Sequence, residues 1–173
     1  MSQPDFFRYE WIWEKSKASN FLDAKKKPLK AHESILVFCR KASPYFPQMA
    51  KGKPFSPRPG KKITDVYGVV RDSQFRNANK GHRYPRSVLY FKTAESEGKV
   101  WHSTQKPLAL VEYLIQTYTK KGNRILDPCA GSGTTAIAAR NLNRSFFGCE
   151  INEEIYVDAT RRIHSQPEDI FRH

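Results

Sequence analysis

The run ILDPCAGSGTTAIAA, residues 125–139, leaves little choice of fold. A short apolar stretch ends at Asp127 and Pro128, a glycine-rich turn occupies 128–133, and an alanine-rich helix begins near Thr134. A second apolar stretch, SFFGCE, covers 145–150. Residues 124–150 therefore read as a β–α–β unit with parallel strands and a right-handed crossover. Gly131 and Gly133 let the backbone approach a ligand closely. The free N–H groups of the helix start point toward the turn. Asp127 and Glu150 close the two strands, so both carboxylates lie at the carboxyl edge of the sheet, where open α/β sheets bind their ligands.

The residues of the turn narrow the ligand. A Walker-type phosphate loop needs Lys-Ser/Thr after its last glycine, and Gly133 is followed by Thr-Thr-Ala. The dinucleotide fingerprint is a closer rival, because Gly131-Ser-Gly133-Thr-Thr-Ala136 satisfies G-x-G-x-x-G/A and Glu150 suits a ribose diol. Asp127 tips the balance. A carboxylate at the mouth of the turn repels a pyrophosphate and suits the amino group of an amino-acid moiety. S-adenosylmethionine carries that amino group, a sulfonium charge and a ribose diol. Charge alone therefore favours it over NAD, which stays open as the alternative.

The remainder of the chain sets the context. FFRYEWIWEK (6–15) reads as a strand, 16–30 as a basic loop and HESILVFCRK (32–41) as a buried strand. Prolines at 44, 47, 54, 57 and 59 break regular structure early in 42–100, where VYGVV (66–70) and SVLYF (87–91) are the strand candidates. KPLALVEYLIQTY (106–118) has helical spacing, with Leu108, Val111, Leu114, Ile115 and Tyr118 on one face and Pro107 in the first turn. Asn152 caps a last helix that has Glu153 and Glu154 in its first turn. The net charge of +13 is concentrated in residues 41–100, which carry 13 Lys and Arg against 4 Asp and Glu. Such a segment is either a solvated face or a polyanion site. Three scattered cysteines and five dispersed histidines suit neither a disulfide framework nor a metal site. No apolar run is long enough to span a bilayer and no signal peptide is evident, so a cytoplasmic location is expected.

DPCAGSGTT (127–135) resembles the Asp-Pro-Phe-x-Gly-Ser-Gly-Thr-Thr cofactor motif of DNA methyltransferases that modify exocyclic amino groups. HSTQKP (102–107) is similar to the His-Pro-Thr-Gln-Lys-Pro element that precedes this motif in a permuted subgroup. WIWEKSKASNF (11–21) and KKPLKAHESILVF (26–38) resemble segments of phage and bacterial members, so the likeness covers nearly the whole chain. The resemblance implies a Rossmann-like α/β methyltransferase fold in three parts: core strands at 1–41, a basic target-recognition segment at 42–100, and a cofactor-binding half at 101–173. It implies S-adenosylmethionine as cofactor and double-stranded DNA as partner. Asp127, Ala130, Gly131, Ser132 and Gly133 would line the methionine end. Cys129 would stand where the family has phenylalanine, with some packing lost. Glu150 would hold the ribose hydroxyls, and Thr104, Gln105 and Lys106 would reach the cofactor carboxylate. Lys51, Lys53, Lys61, Lys62, Arg71 and Arg76 would contact phosphates.

One part of the pattern is missing. The family's (Asp/Asn/Ser)-Pro-Pro-aromatic motif, which holds the target amino group and stacks on the flipped base, lies upstream in this subgroup. No Pro-Pro occurs in the 173 residues, and SPYF (43–46) has one proline and follows a different strand. Strands that lie between the two halves of the family's sheet are absent with it. The expectations are an incomplete sheet with exposed apolar strands and no methylation by these residues alone. A remnant, one half of a split enzyme completed by another chain, or a truncated product would each account for the gap. Adenine N6 is the expected acceptor. A non-catalytic DNA-binding module is the alternative.

Overall fold

The computed structural model describes residues 6–54 and 80–165. Residue contacts divide the chain into two units, one of residues 47–85 and one holding the residues up to 46 and from 86 onward. In the smaller unit, β3 (Ala50–Lys51) pairs antiparallel with β4 (His82–Arg83). Gly52 N–H donates to the Gly81 carbonyl at 2.7 Å, and Arg83 Nη2 donates to the Lys53 carbonyl at 2.6 Å. VYGVV (66–70) lies outside the described residues.

The larger unit begins with β1 (Phe7–Ser19), longer than the sequence suggests. Residues 16–19, read as loop, continue the strand, and their partner β2 (Lys30–Phe38) returns antiparallel. Alternation places Trp11 and Trp13 on the covered face, 4% and 3% exposed. Burying a side chain of this size contributes about 3 kcal/mol. Each indole N–H finds an acceptor, Trp11 the Tyr118 hydroxyl at 2.6 Å and Trp13 the Phe91 carbonyl at 3.0 Å. Burial pushes the Tyr118 phenol well above its ordinary range. β2 is not the buried strand expected from its composition. Among the described residues it is an edge strand, and Leu36 and Phe38 are each 52% exposed. SVLYF, read within the basic segment, supplies β5 (Val88–Phe91), which pairs parallel to the other side of β1.

Helix α1 (Leu108–Tyr118) is buried on two faces rather than one. Leu108, Val111 and Ile115 pack with Ala138 and Ala139 of α2 (Thr134–Asn141). On the other side Tyr113 meets Trp11 and Phe91 edge-on, and Leu110 and Thr117, spaced three and four residues from it, are the most buried positions. The helix is therefore layered between the β1 sheet and α2. Its first two N–H groups, Leu108 and Ala109, donate to the Glu97 carboxylate at 2.6 and 3.1 Å. That satisfies donors a helix start leaves open and opposes its positive end.

β6 (Arg124–Asp127) and β7 (Ser145–Gly148) form a separate two-stranded parallel ladder. The sheet is incomplete: among the described residues it falls into pieces ordered β2-β1-β5 and β6-β7. Ile125 and Phe146 face the core, while their neighbours Leu126 and Phe147, opposite each other in the ladder, are both 67% exposed. The last helix, α3 (Glu153–Ser165), starts where Asn152 Oδ1 accepts the Ile155 N–H at 3.1 Å.

Candidate functional site

The β6–turn–α2–β7 unit has the geometry its residues imply. Asp127 pairs opposite Gly148 at the carboxyl end of the ladder. Its Oδ1 accepts the Cys129 N–H at 3.1 Å and its Oδ2 accepts the Thr135 hydroxyl at 2.7 Å, so the carboxylate is fixed in direction. Glu150 reaches back from the end of β7. Its Oε2 accepts the Gly131 N–H at 2.9 Å and its Oε1 the Asn152 N–H at 3.0 Å. The Asn152 and Gly131 donors hold the Glu150 carboxyl below the usual carboxylate range. A lowered carboxyl stabilises the fold fully above its ordinary range and loses that contribution as pH falls through the lowered one. At neutral pH both oxygens are charged and keep lone pairs facing outward.

Gly133 shows why this turn requires glycine. Its φ is +74°, and a Cβ there would lie 3.0 Å from Ile163 Cδ1. Gly133→Ala is expected to cost about 2 kcal/mol from left-handed backbone and crowding together. A melting temperature lowered by roughly 5 °C in calorimetry would show it. An unchanged melting point would mean that α3 yields without cost.

The second wall comes from the loop before α1. Thr104 N–H donates to His102 Nδ1 at 3.2 Å, so that nitrogen is an acceptor and the Thr104 hydroxyl, 2.9 Å away, donates to it as well. Gln105 Oε1 accepts the Trp101 N–H at 3.0 Å. A cavity of about 210 Å³ lies between the walls. It is lined by Thr104, Gln105 and Lys106 on one side and by Asp127, Cys129, Ala130, Gly131 and Ser132 on the other. His102, Val111, Thr134 and Thr135 complete the lining. Eight of the ten cofactor candidates thus meet in one place. Gly133 and Glu150 frame the turn without lining the cavity. The Lys106 ammonium lies 3.4 Å from Glu33 Oε2 on β2 and 3.3 Å from the Thr104 carbonyl. Cys129 is exposed.

Sequence reasoning missed Arg162. It is 6% exposed on α3, and its Nη1 donates to the Ser132 carbonyl at 2.8 Å, to Ser132 Oγ at 3.1 Å and to Thr134 Oγ1 at 2.8 Å. Burial lowers its pKa and the charge of Glu97 opposes that. An arginine in the last turn of an amphipathic helix carries no mark in the sequence that it is buried. Of the six candidate DNA contacts, Lys51 on β3 and Lys53 beyond it are exposed in the smaller unit. Lys61, Lys62, Arg71 and Arg76 lie outside the described residues. Tyr45 of SPYF is not among the cavity-lining residues and stacks obliquely on Tyr118, with ring centres 6.4 Å apart. No group of histidine, cysteine and carboxylate side chains suited to a metal ion occurs among the described residues.

Known proteins resemble this chain in sequence and in fold. The type II methyltransferase M1.MboII of Moraxella bovis is 29% identical over 166 residues, which cover 91% of this chain and 63% of that protein. M.HindIII of Haemophilus influenzae is 47% identical over 76 residues, 44% of this chain and 25% of that one. A solved M1.HpyAVI–SAM complex superposes with a TM-score of 0.60 at 24% identity, covering 91% of this chain and 62% of its own. The cytosine-N4-specific PvuII DNA methyltransferase gives 0.58 at 15% identity, covering 95% and 54%. Likenesses at these identities establish a shared methyltransferase fold. The chain spans less than two thirds of the length of each of these proteins. The model of the N6/N4 DNA methylases matches residues 2–161, so the chain belongs to the DNA methylase family.

Proposed function

We propose that this chain carries the cofactor-binding and target-recognition parts of an S-adenosylmethionine-dependent, site-specific DNA methyltransferase acting on adenine N6. One observation carries the reading: two oriented carboxylates, Asp127 and Glu150, flank a glycine turn that has no phosphate-binding lysine. A pyrophosphate over that turn would face two carboxylates, whereas an α-amino group and a ribose diol are matched. When bound, S-adenosylmethionine supplies an activated methyl group on a sulfonium. Asp127 then orients the amino-acid end, Glu150 accepts from the ribose hydroxyls, and Thr104 and Gln105 close the opposite side. Positioning and charge placement are the protein's contribution. The cavity of about 210 Å³ is below the ~300–1,000 Å³ of ordinary small-molecule sites. It fits the methionine portion, with Glu150 beside it at the turn for the ribose hydroxyls.

No Pro-Pro-aromatic segment is present to receive the target amino group, so the reading includes no transfer by the 173 residues alone. A second chain bearing that segment is the proposed complement, and Lys51, Lys53, Lys61, Lys62, Arg71 and Arg76 are proposed contacts to duplex DNA. The same absence favours the second reading, a DNA-binding module without chemistry. Calorimetric titration separates them. Micromolar binding of S-adenosylhomocysteine, with none of NADH, is the expected result, and a folded chain that binds duplex DNA but neither nucleoside would leave the module. Nucleoside mass analysis of DNA incubated with the chain and S-adenosylmethionine tests the rest. Turnover by the chain alone would overturn its proposed incompleteness, and N4-methylcytosine in place of N6-methyladenine would overturn the acceptor.

A further inference from the structure

We infer that the tip of the β1–β2 hairpin enters duplex DNA, with Lys25, Lys26 and Lys30 on backbone phosphates and the Phe21–Leu22 pair against the bases. The tip is an ordered structure. Asn20 takes a left-handed conformation, φ 68°, and opens a one-turn 3-10 helix at Phe21–Asp23. The Asn20, Phe21 and Asp23 carbonyls accept the N–H groups of Asp23, Ala24, Lys26 and Lys27. Lys27 closes the turn with an ion pair to Asp23 at 2.8 Å. This compact turn presents its apolar side chains outward: Phe21 is 75% exposed and Leu22 88%. Adjacent exposed large apolar side chains are a mark of an interaction site.

The charge around them selects the occupant. Residues 15–30 hold six lysines and one acid, Asp23. Lys15 and Lys17 pair with Glu33 and Glu95, and Lys27 with Asp23. Lys25, Lys26 and Lys30 have no acidic partner among the described residues. At the base of the tip, Lys15, Ser19, Asn20, Lys30, Glu33 and Ser34 line an open recess of about 570 Å³. Unpaired lysines framing an apolar wedge fit a polyanion that also offers apolar faces. Nucleic acid does both, through phosphates and base stacks. An anionic membrane surface shares the charge, and the basic excess continuing through residues 41–100 favours the longer polyanion. The inference rests on the methyltransferase reading only in choosing double-stranded DNA among nucleic acids.

The test is fluorescence titration of the full chain with a duplex of about thirty base pairs carrying 2-aminopurine, across a salt series. Lys25→Gln with Lys26→Gln is expected to make the slope of log K against log salt shallower by about 2, near 0.9 for each phosphate lost. Phe21→Ser with Leu22→Ser is expected to keep the slope, weaken binding about tenfold and abolish the 2-aminopurine signal. Wild-type slope and affinity in both double variants would overturn the inference, as would failure of the wild type to bind the duplex. So would a Phe21/Leu22 variant that loses only binding to phosphatidylserine vesicles. S-adenosylhomocysteine titration of the same proteins keeps the two readings apart. Intact tip effects without nucleoside binding would sink the methyltransferase reading and leave the DNA contact standing.

Discussion

Asp127→Ala is expected to weaken S-adenosylhomocysteine binding about fiftyfold, roughly 2–2.5 kcal/mol, the range of a charge-assisted hydrogen bond. Two effects add. The substitution removes the negative charge that the ligand's ammonium meets. It also releases the Cys129 N–H and the Thr135 hydroxyl, which share the carboxylate at 3.1 and 2.7 Å. Asp127→Asn separates them, because it keeps an acceptor for the turn and deletes the charge. The asparagine variant is expected to hold the wild-type melting temperature while losing most of the affinity. Calorimetric titration alongside thermal melts reads both quantities. An asparagine variant that binds like the wild type would show that the charge is not used, and the electrostatic case against a dinucleotide would fall with it.

Arg162→Met is expected to produce the larger loss of stability, about 3 kcal/mol, or roughly 10 °C in melting temperature for a chain of this length. Methionine preserves the stem and its packing. What disappears is one guanidinium nitrogen that serves the Ser132 carbonyl and the Ser132 and Thr134 hydroxyls. The Ser132 carbonyl loses this buried donor, the two hydroxyls are left with each other at 3.3 Å, and a desolvation penalty applies. The same nitrogen fixes the turn against α3, so nucleoside affinity measured well below the melting point is expected to fall about tenfold. Arg162→Lys retains a charge and one donor nitrogen on a differently shaped head, and should recover affinity more than stability. A methionine variant that melts early yet binds normally would confine Arg162 to holding the fold.

Much of this was legible in the chain because it is local. The β6–turn–α2–β7 unit follows from a motif of nine residues and two short periodic runs, and the bounds of α1 and of the Asn152 cap follow from residues adjacent in sequence. What escaped depends on groups distant in sequence. Glu97 caps α1 from eleven residues away. Arg162 meets Ser132 across thirty. Lys106 lines the cavity and also approaches Glu33 on a strand far upstream, a contact that no local pattern signals. β5 gives no sign in its four residues that β1 is its partner, and a strand rich in Ile, Leu, Val and Phe reads as central although β2 lies at an edge among the described residues. Composition reports that a segment can be buried, and only the arrangement of its neighbours decides how much of it is.

The bare outer face of the β6–β7 ladder also shapes how this chain must unfold. Leu126 and Phe147 are already two-thirds in water before the transition begins. The heat capacity of unfolding and the denaturant slope both scale with apolar surface newly exposed. Each is therefore smaller for this chain than for a closed domain of equal length. Its stability curve is expected to be correspondingly flat, with a shallow maximum and a broad melt. Polypeptide that covers the ladder would change the shape of that curve as well as its height, so a sharpened transition is the calorimetric signature of a completed sheet.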